Sequence, residues 1–422
     1  MTPQQLKKLD RELTDYVDGL VAGMGRPERR AAMGLYITGL LLDGERRSIE
    51  PMASRLVDDP HEIQSMRQRL QQAVMVAKWE ETELFGRIGA KLERELPGLE
   101  AFVVDDTGFA KKGSHSVGVA RQYSGTLGRI DNCQVATSLH LAGEFGSGCI
   151  GLRLYLPEEW TSDPNRCRRA GIPEDVRFQQ KWRIALDLID SAFSHGLRKR
   201  VVLADAGYGE ITSFRDELRQ RDLNYLVAVP GALAVWSPDT ELRPPRARSR
   251  MGRPPTRPRV IKGQTTSISV LAASLDYRRV TWREGSKGKQ SSCFAAVRIR
   301  TAHKHSVGRS PGPEEWLLCE WPVDRDSPSK FYLSSMPAST SLKELVRLAK
   351  LRWRVERDYQ ELKGELGLDH FEGRNWLGFH HHAALCAAAH AFLAIRRAVF
   401  PPEPSPMDLG TRAANAAASP PA

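Results

Sequence analysis

Three carboxylate positions in this chain could do chemistry together. Asp105 follows the apolar run Phe102-Val103-Val104 and is followed at once by Asp106. Asp205 follows Val201-Val202-Leu203-Ala204 and precedes Gly207-Tyr208-Gly209. Both read as strand ends running into glycine-containing turns, where open α/β sheets present their ligands. A carboxylate fixed there is costly to bury unless it is hydrogen-bonded or holds a cation; a helix N-cap or turn Asp is the competing reading. In the run Arg352 to Lys363, the residues Arg352, Glu356, Tyr359 and Lys363 fall at steps of four, three and four. Such spacing puts them on one helix face, either a functional one or an exposed salt-bridged one. Glu361, on another face, is a weaker candidate acid. Two Asp and a Glu are hard oxygen donors suited to Mg²⁺. Two such ions about 4 Å apart can activate a water or 3′-hydroxyl and stabilise the leaving oxygen of a phosphodiester. With the acids so far apart in sequence, the expectation is that the fold makes them converge.

The elements that must hold these residues can be read from periodicity. Up to residue 95 the chain reads as helical: Leu6, Leu9, Leu13, Val17 and Leu20 recur at helical steps, as do Met33, Tyr36, Ile37, Leu40 and Leu41. A further helix over His61–Trp79 has Asp58, Asp59 and Pro60 at its entry. This predicts an N-terminal helical domain, residues 1–95, with DNA binding and plain packing as its two alternative readings. From Pro97 short β-rich runs take over at Ala101–Asp105, Ser116–Tyr123, Cys133–Ala142 and Cys149–Leu156. A helix over Phe178–His195, a strand over Arg200–Ala204, a helix over Ser213–Arg221 and a strand over Tyr225–Val229 continue the pattern. Strands and helices alternating in this way predict a mixed α/β sheet, first part residues 96–232.

Residues 233–334 read as a β-rich insertion. Arg243–Lys262 holds eight Arg/Lys and five Pro with no acid, which predicts a flexible basic loop. Strands are expected around Ile268–Leu275, Arg278–Trp282, Cys293–Ile299, Trp316–Trp321 and Lys330–Leu333. Two long helices, Leu342–Leu366 and Gly378–Val399, should complete the sheet domain within residues 335–400. The Pro- and Ala-rich residues 401–422 read as a disordered tail.

Composition narrows the function. Of 422 residues, 62 are Lys or Arg against 51 Asp or Glu, a net +11, and a pI near 9.4 suggests a polyanionic partner. The longest nearly apolar run, Ala383–Ile395, is too short to cross a bilayer. Met1–Leu13 is charged every few residues without an apolar signal core, so export is not expected. Six dispersed cysteines with no CxxC pair argue against a disulfide framework or zinc ribbon and fit a reducing compartment.

At these residues the sequence resembles the DDE transposases of bacterial insertion sequences, in the branch described as DDE superfamily endonuclease. The likeness runs from about residue 30 to residue 398. It is strongest at DDTGFAKKGSHSVGVARQYSGTLGRIDNCQVA (105–136), LPEEW (156–160), VVLADAGYG (201–209) and RWRVERDYQELKGELGLDHFEGRNWLGFHHH (352–382). The resemblance implies a ribonuclease H-like mixed sheet with flanking helices, interrupted by a β-rich insertion and preceded by the helical domain. It also implies DNA cleavage and strand transfer with Mg²⁺ or Mn²⁺, two ions being expected. Terminal inverted repeats and target DNA would be the partners, with a homodimer in the DNA complex and a bacterial cytoplasmic, nucleoid-associated location. Carried over, Asp105 is the first catalytic acid and metal ligand, Asp205 the second and Glu356 the third, with Asp106 a close rival for the first role. The family's Tyr-x2-Arg-x3-Glu-x6-Lys signature is met at Arg352, Glu356 and Lys363, but its Tyr position holds Ala349. The 151 positions from Asp205 to Glu356 suit relatives with a β-strand insertion before the last acid.

Lys111, Lys112 and His115 could meet DNA phosphates or line a solvated turn. Trp282, among Arg278, Arg279 and Arg283, could stack a displaced base or be an ordinary strand aromatic. Arg352, Lys363 and Tyr359 are the remaining DNA-contact candidates. Consecutive His380, His381 and His382 point in different directions on a helix and should not converge on one ion. Cys133 should be core. Two rival readings stand beside the transposase: a catalytically inactive descendant that binds DNA, and a metal-dependent nuclease that cuts without joining. A glycosidase built on two of the carboxylates would leave the basic loop unexplained.

Overall fold

The structure is a computed structural model and describes residues 2–236, 240–243, 259–285, 288–302 and 311–399. Residues 244–258 of the expected basic loop and the expected tail at 401–422 lie outside them. In chain order the first helices are α1 (Pro3–Val21), α2 (Pro27–Leu41), α3 (Ile49–Arg55), α4 (Ile63–Met75) and α5 (Glu81–Glu95). Strands β1 (Leu99–Ala110), β2 (Ala120–Ser124), β3 (Arg129–Gly143) and β4 (Ser147–Leu154) come next. They are followed by α6 (Glu158–Thr161), α7 (Pro164–Ala170), α8 (Lys181–Ser194) and β5 (Val201–Ala204). Then come α9 (Ala206–Gly209), α10 (Thr212–Gln220), β6 (Tyr225–Val229), β7 (Ala234–Trp236), β8 (Glu241–Arg243), β9 (Arg259–Lys262) and β10 (Thr265–Ser267). After α11 (Ile268–Ala272) run β11 (Arg278–Gly285), β12 (Gly288–Thr301), β13 (Glu314–Trp321) and β14 (Lys330–Ser334). Helices α12 (Leu342–Leu351) and α13 (Trp353–Gln360), a π turn (Glu361–Glu365) and α14 (Trp376–Val399) complete the series.

The described residues divide into two compact units, one of residues up to 200 with those from 353 onward, the other of residues within 201–352. In the first unit α1 starts with a capping box: Thr2 accepts from the Gln5 amide and the Gln5 side chain accepts from Thr2. Asp59 caps the short 3₁₀ turn Pro60–Glu62 that leads into α4, as the Asp-Asp-Pro entry predicts. Helices α2, α4 and α5 pack on α14. Because α14 is buried on almost every face from Trp376 to Ile395, its apolar run is a protein core, not a membrane span. Among the described residues, no helix is long and apolar enough to cross a membrane. The unit's sheet is antiparallel. β3 pairs with β1 along one edge and with β2 and then β4 along the other, and it is buried from Cys133 to Gly143.

The second unit carries a strand order of β10-β7-β12-β13-β14-β6-β5, with β11 also on β12. The β5–β6 pair is parallel, and β8 and β9 form a separate two-stranded sheet. Both units therefore mix helices with sheet, as the alternating pattern predicts, and helices precede the first strand.

Three expectations are corrected. Ile268–Leu275 is not a strand, because Ser267 accepts from the Val270 amide and starts α11; a short apolar run fits either period. Of Ser116–Tyr123 only the end is strand, since Gly118 at φ +73° turns the chain before β2. Leu342–Leu366 is not one helix: it stops at Leu351, restarts at Trp353 and loosens into the π turn.

The LPEEW segment is a packing device. Trp160 is 1% exposed, its indole N–H donates to the Val119 carbonyl at 2.8 Å, and the Arg166 guanidinium lies 3.7 Å over its ring. Trp160→Ala should lower unfolding free energy by about 3–5 kcal/mol. The check is the chemical-denaturation midpoint, and an unchanged midpoint would contradict this role.

Candidate active site

Asp105 and Asp106 do not end a strand. β1 runs on to Ala110, and the two residues pair with Ser138 and Thr137 of β3. The Asp-Asp-Thr-Gly segment stays in the ladder because Gly108 leaves room for Ser124, whose Oγ would lie 2.0 Å from any Cβ there. Successive strand residues face opposite sides, and the two acids have different surroundings. Asp106 takes the Lys181 ammonium of α8 and accepts from Thr137 Oγ1 at 3.2 Å. Asp105 Oδ1 accepts from the Asp106 amide at 2.8 Å. Its charge also bears on Tyr359 of α13: burial first, and Asp105 second, hold that hydroxyl's pKa far above the usual range. Tyr359 Oη and Ser138 Oγ are 2.5 Å apart.

α13 brings Glu356 as well. Glu356 and Arg357 are exposed while Val355 and Asp358 are buried, so this short helix has one wet and one dry side. Glu356 stands one turn before Tyr359. Lys363, in the π turn, donates to the Gly108 carbonyl at 2.8 Å and lies 5.0 Å over the Phe109 ring. Burial lowers its pKa to about 8. Lys111 donates to the Phe371 carbonyl at 3.1 Å, and burial lowers its pKa too. Lys112 and His115 are exposed.

Asp205 belongs to the second unit. It directly follows β5, as expected, and caps α9 by accepting from the Tyr208 amide at 3.3 Å. The N-cap alternative is thus realised. Arg352 also falls in that unit, at the C-cap of α12; the break there removes it from the continuous face expected with Glu356 and Tyr359. Trp282 of β11 meets Phe294 edge to face at 5.8 Å, and the Lys350 ammonium lies 4.4 Å over its ring. Lys350 in turn binds the buried Glu320 at 2.7 Å, so the surroundings of Trp282 are those of a strand aromatic.

Other candidates are structural. Glu361 binds His390 at 3.1 Å and Arg357 at 2.9 Å, and also pairs with Arg397. His380, His381 and His382 are buried and spent on separate partners. His380 accepts from the Leu154 amide, His381 stacks on Trp79 at 3.7 Å, and His382 meets Tyr36 Oη at 2.8 Å. Cys133 is core, as expected.

Among the described residues no three His, Cys, Asp or Glu side chains form a ready-made metal cage. Carboxylates crowded together without a cation repel one another. The donor types at the candidate positions, all carboxylate oxygens, are those a hard divalent ion takes.

Sequence reasoning passed over Lys181, Ser138, His140 and Asp358. The Ser-Leu-His alternation on β3 shows that Ser138 and His140 share a face, but nothing local names their partners.

The model of a family described as DDE superfamily endonuclease matches residues 19–289, and the chain belongs to that family. Members use divalent metals. The matched stretch contains Asp105 and Asp205 and ends before Glu356. A probable transposase for insertion sequence element IS701 from Microchaete diplosiphon is 37% identical over 128 residues. That alignment covers 30% of this chain and 31% of the relative.

The lowered pKa of Lys363 has a sign. Burial makes the cation easier to lose as pH rises past about 8, so, with Lys363 as an expected phosphate contact, duplex binding should weaken through that value. Lys363→Met should remove the step and reduce the salt slope of binding by about 1, whereas Lys363→Arg should keep binding flat with pH. A titration of duplex affinity against pH and salt tests this, and an unchanged profile in Lys363→Met would refute it.

Proposed function

We propose that this protein is the transposase of an insertion sequence, which binds the element's terminal inverted repeats, cleaves phosphodiesters there and joins the ends to target DNA. Family membership supports a DNA-cleaving enzyme. The observation that carries the reading further is the split between the two neighbouring acids. Asp106 is tied to Lys181 on one side of β1, whereas Asp105 lies on the side of α13, the helix that presents Glu356. We therefore assign the first catalytic acid to Asp105. Asp205 is the second, at its strand end in the matched stretch, and Glu356 the third, on the Arg-x3-Glu-x6-Lys spacing.

These three carboxylates would hold the metal, taken to be two Mg²⁺ or Mn²⁺ ions, which supplies Lewis acidity towards the attacking and leaving oxygens. The chain's own part is to fix carboxylates and to meet phosphate charge with Arg352, Lys363, Lys111 and Lys112. Two DNA ends are joined in one event, so a homodimer is the working form in the complex. The N-terminal helices are a candidate for recognising the repeats.

The experiment is cleavage and joining of DNA carrying the element's ends, with and without Mg²⁺. Asp105→Asn, Asp205→Asn and Glu356→Gln should each lower cleavage by more than about 100-fold while duplex affinity persists. Asp106→Asn should be milder. Loss of DNA binding with activity would show those acids to be structural. Nicking without joined products would favour the plain nuclease, and a wild type that binds without cutting would favour the inactive descendant.

A further inference from the structure

The hairpin of β2 and β3 turns an apolar pair outwards near the first acid, and the cleavage chemistry above leaves that pair unused. Tyr123 and Ile130 stand directly opposite each other in the register, and they are 63% and 59% exposed. Directly opposed residues share a face, as do residues two apart on a strand. The next pair on the same face is therefore Arg121 with Asn132. Arg121 is exposed, and Asn132 Nδ2 donates to the Lys111 and Gly113 carbonyls at 2.6 and 3.1 Å. Those bonds hold the loop of residues 111–119 against the hairpin and leave Lys112 exposed on it. Arg166 of α7 steadies the same loop by donating to the Ser114 carbonyl at 3.3 Å.

The hairpin also reaches back to the strand that carries the acid. Thr126 Oγ1, in its turn, accepts from the Gly108 amide at 3.1 Å. Gly108 lies three residues, about 10 Å, along β1 from Asp105. All these residues belong to the first compact unit. From Thr107 to Ile130 the chain has four Lys or Arg and no Asp or Glu. Of the four, Arg129 pairs with Asp131 at 2.8 Å and Lys111 donates to the Phe371 carbonyl. Arg121 and Lys112 thus stand exposed beside the apolar pair, while Asp131 is the register partner of Gln122 and shares its face, the opposite one.

A tyrosine ring beside two cations suits an unpaired nucleobase, which offers a flat face to the ring and its phosphates to the cations. A base within a duplex is already stacked above and below and has no free face to give. A second copy of this chain fits less well, because a symmetric contact through this patch would bring Arg121 and Lys112 up against their own copies. We propose that this face of the hairpin holds a single-stranded DNA end beside the first acid, with Tyr123 and Ile130 stacking on an unpaired base and Arg121 and Lys112 meeting its flanking phosphates. This rests on the cleavage reading above and adds the place where the cut strand is held.

The test compares two DNAs bound by the full chain without divalent metal: a blunt duplex, and the same duplex with a single-stranded end carrying a fluorescent adenine analogue. Tyr123→Ala should weaken binding of the single-stranded end by about 10-fold and leave the blunt duplex unchanged. Both side chains of the pair are mostly exposed, so the substitution leaves the fold in place. Tyr123→Phe keeps the ring and should keep both the affinity and the quenching of the analogue. Arg121→Ala should flatten the salt dependence for the single-stranded end by about 0.7, which Tyr123→Ala should not do. Equal affinities in wild type and Tyr123→Ala, or an equal loss on both DNAs, would overturn the stacking role while the cleavage reading stands. Self-association of the wild type that Tyr123→Ala abolishes would give this face to a second copy and overturn it as well. A wild type that binds neither DNA would refute the cleavage reading and this one together.

Discussion

The pairing of β1 with β3 in the first unit is the constraint on which the candidate site depends. That register sets Asp105 against Ser138 and Asp106 against Thr137, and the pleat sends the two acids to opposite faces. One face meets α8 and its Lys181; the other meets α13. A slip of one residue would exchange them and put Asp106 in place of Asp105 on the side of α13. What fixes the register is burial: β3 is dry on both faces from Cys133 onward, so a slip would part its buried polar side chains from their hydrogen-bond partners.

Dryness also explains why the unit holds so many buried polar groups in closed sets. An unpaired buried charge costs far more than a paired one. Asp358 is accordingly met by His140, Ser147 and His390, and Glu361 by His390, Arg357 and Arg397. The two sets meet at His390, on the long buried helix α14. The π turn, which follows α13 directly, presents Glu361 to one set and Lys363 to β1. A regular helix over Leu342–Leu366 would have aligned these residues in simple steps. The break at Arg352 and the π turn instead let neighbouring side chains serve different partners.

Much of this was legible in the sequence because its causes are local. The apolar runs before Asp105 and Asp205 predict strands, the Asp-Asp-Pro entry predicts a helix start, and the helical steps in residues 6–20 predict α1. Errors fell where local signals tie. Ile268–Leu275 fits strand or helix by period, and Ser267 decided for helix. The Asp-Asp-Thr-Gly segment looked like a strand ending in a turn, but Ser124 fills the space beside Gly108 and the ladder continues. Trp160 looked like a motif residue and proved to be a core residue with a guanidinium over its ring.

By itself the sequence determined which residue types stand at the ends and middles of which elements: three acids, the cations around them and the apolar runs that hold them. Those follow from side-chain chemistry and from periods of two and 3.6, which act over a few residues. Only the tertiary structure decided that Asp106 is paired with Lys181 while Asp105 stands with Tyr359. It also decided that His140, unremarkable in sequence, joins Asp358 from more than 200 positions away. The physical reason is that a buried polar group takes whatever partner the packed core brings within hydrogen-bonding distance, and that partner is set by register and packing rather than by neighbours in the chain.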